Sequence, residues 1–224
     1  MSHAMIKRLI YKDWYFNRWA MLGYVLAGFA ALVPIAVGGK GAFYAGSILL
    51  ISTVITIGIH LTMITVVHER SEHTLAFVMS LPVSFREYTT AKILGNLAIF
   101  TPAWGLLVVA TMAVIANRAA LPDGLIPFVI VVLGALFTGY VLTLTTAIVS
   151  ESLGWTVGAI VLANFLMQGV MYWASNFPGA QAQLASDSIV WLPAHLGLLG
   201  GEALAVVLML ALTFYLQSRK TDFL

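Results

Sequence analysis

Residues 69–92 read Glu69-Arg70-Ser71-Glu72-His73-Thr74-Leu75-Ala76-Phe77-Val78-Met79-Ser80-Leu81-Pro82-Val83-Ser84-Phe85-Arg86-Glu87-Tyr88-Thr89-Thr90-Ala91-Lys92. This polar, helix-forming stretch lies between two long apolar runs. It holds Glu69, Arg70, Glu72, Arg86 and Glu87 in a chain that is 61% hydrophobic and only 9% charged. Soluble domains carry roughly 25% charged residues, so the 224-residue chain reads as an all-α integral membrane protein. The insert is then where the protein meets the cytosol, and its charges suit a docking element for a soluble partner.

Six runs are long enough to span, since a crossing helix needs roughly 20 apolar residues. They are expected at Trp19–Val37, Phe43–Val67, Ile93–Ala116, Leu125–Val149, Trp155–Ser175 and Gly201–Gln217. None alternates as a barrel strand would. There is no cysteine, so thiol and disulfide chemistry are excluded. Lys7, Arg8, Lys12, Arg18, Arg70, Arg86, Lys92, Arg219 and Lys220 fall on one side, and only Lys40 and Arg118 on the other. That division predicts a cell inner or plasma membrane protein with both termini cytoplasmic. The charges are sorted by side rather than pooled in a patch, which gives no reason to expect nucleic acid.

Residues 1–224 form one transmembrane domain with three special segments. In residues 5–18, Ile6, Leu9, Ile10 and Trp14 share a helical face, and Lys7, Arg8 and Lys12 lie off it. This predicts an interfacial helix on the inner leaflet. In residues 68–92, Ser84 and Glu87 fit a capping box, and Pro82 interrupts helix just before it. A helix is therefore expected to start at Ser84 and run unbroken into the third span. Upstream, Glu72–Ser80 fits a short helix presenting Leu75, Val78 and Met79, which either docks a partner or lies against the leaflet. Residues 176–200 are long and semi-apolar, with Pro178, Gly179 and Pro193, and suit either a segment folded back into the outer leaflet or a plain surface loop. Buried re-entrant backbone is tolerated there only if protein covers it.

Enzyme motifs fail on spacing. His68-Glu69 with His73 looks like a zinc-protease motif, but the histidines are five apart rather than four. Gly38-Gly39-Lys40-Gly41 lacks the Ser or Thr that must follow the lysine of a phosphate loop. No Gly-x-Ser-x-Gly occurs, which counts against an intramembrane serine protease. The chain is read as carrying no catalytic residue, no metal site and no cofactor of its own.

Polar residues inside spans are costly and usually face protein or water. Thr53, Thr56 and His60 form one stripe on span 2. Asn164, Gln168 and Met171 form another on span 5. They suit either a shared pathway or interhelical hydrogen bonding within one subunit. Gly154 and Gly158 form a small-xxx-small pair on span 5.

Glu69-Arg70, Thr74-Leu75, Ser80-Leu81-Pro82-Val83-Ser84 and Lys92, with Lys12-Asp13 and Asn17-Arg18 ahead of span 1, resemble the type-2 ABC-transporter permeases, the exporter class that includes subfamily-G-like transporters. The order of spans, leader and last outer segment is similar over nearly the whole chain; the motifs cover about 30 residues. His73 departs from the family, where glycine is frequent. The resemblance implies that the insert carries a coupling helix contacting an ABC ATPase subunit through Glu69, Arg70, Glu72, Thr74, Leu75, Val78 and Met79. Glu151, in the inner loop between spans 4 and 5, is a candidate for a second contact. It further implies that ATP and Mg are bound by that separate chain, and that two permease copies, identical or related, pair with spans 2 and 5 along the pathway. The neutral stripes suit amphipathic or lipid-like cargo. A membrane assembly factor or regulatory subunit of the same shape is the competing expectation.

Overall fold

The computed structural model describes residues 3–69, 85–118 and 121–219, with side chains from residue 7 in the first helix and from residue 87 in the third. Every regular element among them is helical. In chain order these are α1 (His3–Val37), α2 (Lys40–Thr62) continuing into a π-helical segment (Met63–His68), α3 (Phe85–Ala116), α4 (Leu125–Ser150), α5 (Leu153–Asn176), the short α6 (Ala180–Leu184) and α7 (Pro193–Ser218). Six of these segments are long and apolar enough to cross a membrane. They correspond to the six expected runs.

Two boundaries differ from expectation. No break separates residues 5–18 from span 1, because α1 is one helix of 35 residues. The leader is therefore the first part of that helix and not an element of its own. Its buried stripe is Leu9, Asp13, Asn17 and Met21, at i,i+4 spacing, facing the bundle; Trp14 is half exposed. At the other end of the chain, α7 begins at Pro193, about two turns before the expected start. Proline lacks the N–H that a first helical residue leaves unpaired anyway, so it starts this helix rather than preventing it. The third span does begin within the insert and runs on without interruption, with Glu87 in its first turn.

α4 is the central helix and packs on α5, α7, α2 and α3, while α1 packs on α2 and α3. α4 is accordingly the most buried span and α7 the least. Phe100 of α3 stacks on Tyr140 of α4 at 3.8 Å between ring centroids, and Trp104 Nε1 donates to the Leu133 carbonyl at 2.9 Å. Gly58 lets α2 approach this stack, since a Cβ there would sit 2.9 Å from the Tyr140 ring.

α1, α3 and α5 end, and α2, α4 and α7 begin, at what is here called the loop end. There Arg118 donates to the carbonyls of Ile35 and Gly38, at 2.5 and 2.9 Å, capping α1. A cation is favoured at such a C-terminus. The segment after α5 folds back on the bundle: Gln183 Nε2 donates to the Gly124 carbonyl at 2.7 Å, and Gly124 N–H to Ser186 O at 2.8 Å.

Candidate functional site: a buried ion cluster at the root of the insert

At the opposite, charged end, three helices bring four charges together. α1 contributes Lys12 and Asp13, the end of α2 contributes Glu69, and α3 contributes Lys92. Lys92 Nζ lies 3.0 Å from Asp13 Oδ2 and 2.5 Å from Glu69 Oε2. Lys12 Nζ lies 2.5 Å from Glu69 Oε1 and 3.5 Å from Asp13 Oδ1. The Lys92 side chain is only 2% exposed, and those of Asp13 and Glu69 are also buried. Among the described residues, two ammonium groups stand against two carboxylates. Burial alone would raise the Glu69 carboxyl, but Lys92 and Lys12 outweigh it and hold the group below its ordinary range.

Local sequence explains the convergence. Asp13 and Asn17 stand one turn apart on α1, and Lys92 and Asn96 one turn apart on α3, so each helix offers a charge and an amide on one face. After Thr62 the helix continues as the π-helical segment, on which Thr65 reaches Asn96 and past which Glu69 reaches Lys92. Thr65 hydroxyl donates to Leu61 O at 2.7 Å. Asn96 Nδ2 then donates to Thr65 Oγ1 at 2.9 Å and to Lys92 O at 2.9 Å. Tyr140 hydroxyl donates to Asn96 Oδ1 at 3.4 Å.

A second branch runs along α1. Asn17 Nδ2 donates to Asp13 O at 2.8 Å, which leaves its oxygen as the acceptor for His60 Nε2 at 3.2 Å. With the proton on Nε2, His60 Nδ1 accepts from Tyr24 hydroxyl at 3.4 Å. The polar network thus reaches from the root of the insert into the bundle by two routes. Tyr140 ends one of them and lines a cleft between α2, α4 and α5, together with Gly58, Thr143 and Asn164.

Of the expected docking residues, Glu69 sits in the ion cluster. Arg70, Glu72, Thr74, Leu75, Val78 and Met79 lie outside the described residues. Glu151 is exposed at the same end of the bundle and has φ 57°, in the left-handed region, where its N–H closes α4 onto Ala147 O. The two polar stripes face different ways within the chain. Thr53 and Thr56 donate to carbonyls of their own helix, Leu49 O at 2.8 Å and Ser52 O at 2.7 Å, and His60 turns to α1. Asn164 faces the cleft, whose α2 wall is formed by Val54, Ile55, Gly58 and Ile59. Gln168 is exposed on α5, and Met171 packs partly against the core. Gly158 has no neighbour within reach and Gly154 only Ser152, so that pair faces away from the bundle.

Sequence reading missed Lys12, Asp13, Asn17, Lys92 and Asn96 as one site. The available signal was the polar pair at i,i+4 on each of two otherwise apolar helices. In comparisons with known proteins, the chain matches no family model, no curated protein sequence and no solved structure.

Proposed function

We propose that the chain is the transmembrane permease subunit of an ATP-driven transporter, powered by a separate ATPase chain that binds ATP and Mg. The observation that carries this reading is the ion cluster. Charges are expensive to remove from water, and a buried set is retained where a fixed geometry matters. Here the set ties α1, α2 and α3 together directly at both ends of the 69–92 insert. A push on the insert would then reach three helices at once and, through Asn96 and Tyr140, the cleft beside α5. Glu151 supports a second contact: a non-glycine residue in the left-handed region costs roughly 1–2 kcal/mol, and strain of this kind collects at functional positions.

In this reading the charged end faces the cytoplasm of an inner or plasma membrane. The nine-to-two division of Lys and Arg supports it, and one of the two exceptions, Arg118, caps α1. The first part of α1 lies at headgroup level. Its exposed Tyr11, Trp14, Tyr15, Phe16 and Trp19 suit that depth, and Arg18 stacks over Tyr15 at 4.1 Å. A second copy completes the pathway, and amphipathic or lipid-like cargo leaves the cell by it.

The test is association. Leu75→Asp or Val78→Asp should reduce copurification of the ATPase about ten-fold or more, because a charge would enter an apolar contact. Undiminished copurification of both variants would sink the coupling-helix assignment. Reporter fusions after Lys92 and after Ser218 should read cytoplasmic, and fusions at Asp123 and Asp187 external; a cytoplasmic signal at Asp187 breaks the orientation. Single cysteines at Thr56 and Gln168 should react with a small polar thiol reagent much faster than one at Leu106, which is exposed on α3 and expected to face lipid. Equal inertness of all three, in every nucleotide state, removes the pathway.

A further inference from the structure

Among the described residues, one carboxyl inside a candidate span stands apart from the charged end. Glu202 lies nine residues into α7, about 14 Å from its start, well inside a candidate span. Both of its carboxyl oxygens are buried without a hydrogen-bond partner. The group rests against α4 at Gly134, where a Cβ would collide with Oε2. A side chain at position 134 would make the carboxyl shift, so the glycine gives the group its place in the seam between α4 and α7.

Among the described residues, no counter-charge faces it. α7 packs on α4, α3 and α5. The titratable residue of α4 is Tyr140, whose hydroxyl is bonded to Asn96. α3 carries none between Lys92, held in the ion cluster, and Arg118, held at the α1 terminus. α5 carries only Tyr172, which is exposed, and Asp187 in the preceding segment is exposed too. On α7 itself the nearest titratable group is His195, two turns toward the loop end on the same face. His195 is fully buried, with both ring nitrogens unpartnered and the rings of Phe177 and Trp191 around it.

An ionised carboxylate without a partner in an apolar setting costs far more than a neutral acid, and such a group takes up a proton instead. We propose that Glu202 is a proton-binding site inside the membrane, seated on Gly134 and reached from the loop end past His195. The ligand is a single proton taken from water at that end. Releasing it leaves a charge that only water can solvate there, so proton loss and opening of the α4–α7 seam are linked. This site is separate from the ion cluster and does not depend on the transport reading.

The experiment uses the purified full chain in detergent near neutral pH with an apolar carbodiimide. That reagent adds the O–H of an undissociated carboxylic acid across its C=N bond and rearranges to a stable N-acylurea. Peptide mass spectrometry then compares Glu202 with the other eight of the nine Asp and Glu residues. Glu202 should be labelled about ten-fold or more above each of them. The label should vanish in Glu202→Gln, with the melting temperature unchanged, since the amide copies the protonated acid. An unlabelled Glu202, or one labelled no more than Asp123 or Asp187, overturns the proposal. So does a Glu202→Gln chain that melts markedly earlier, because the native group would then be the carboxylate.

Discussion

Lys92→Met should destabilise the folded chain by about 3–5 kcal/mol, the usual loss when one member of a buried ion pair is removed. The methionine fills similar space, so the loss reflects charge and not volume. Asp13 and Glu69 would remain buried and lose a shared partner, while Lys12, whose side chain is 40% exposed, stays beside them. Adding Glu69→Gln should recover most of the loss, because the remaining Lys12 and Asp13 again balance. Unfolding in mixed micelles measures both. A Lys92→Met loss under about 1 kcal/mol, or no recovery in the double variant, would show that the cluster does not hold the helices. Acid titration gives a second check. The folded-state value of Glu69 lies below its ordinary 4.5. Its contribution is therefore fully present above that pH and is lost as pH falls through the folded-state value. Lys92→Met should flatten that acid-side loss.

Phe100→Ala should cost about 3–5 kcal/mol as well, by a different route. Phe100 is completely buried and stacks on Tyr140. Truncation opens a cavity between α3 and α4 and frees the ring whose hydroxyl bonds Asn96. Phe100→Leu, which keeps most of the volume, should cost clearly less. Equal losses for the two variants would mean that refilling the space recovers nothing, so that the cost comes from losing the aromatic stack and not from the cavity. The same melting assay resolves the difference.

The spans were legible because length and hydropathy are local properties, and six runs of the right size admit few other readings. The junctions were less so. Gly200-Gly201 looked like the end of a loop, yet α7 passes through both without a break. The basic, aromatic leader looked like a separate surface helix, because its outward face was easier to see than its inward one. The ion cluster was hidden for a different reason. Lys12 meets Glu69 across 57 positions and Asp13 meets Lys92 across 79. No periodicity reports contacts at such range, and one partner follows a π-helical segment. The polar stripe of α2 shows the converse. A threonine in a helix can satisfy its hydroxyl on its own preceding turn, as Thr53 and Thr56 do, so its presence alone does not identify a neighbour.

The unbroken run of α1 sets a mechanical scale. Its 35 residues measure about 52 Å, against roughly 30 Å of hydrocarbon. Tilting does not absorb the excess, since fitting the whole rod inside would need about 55°, beyond the roughly 0–40° that spans adopt. About 22 Å of the rod therefore has to stand outside the hydrocarbon of any bilayer that α1 crosses. With no joint along the rod, a swing of about 10° at one end carries the other sideways by roughly 9 Å. A small motion where the ions meet is thus magnified at the far end of the same rod.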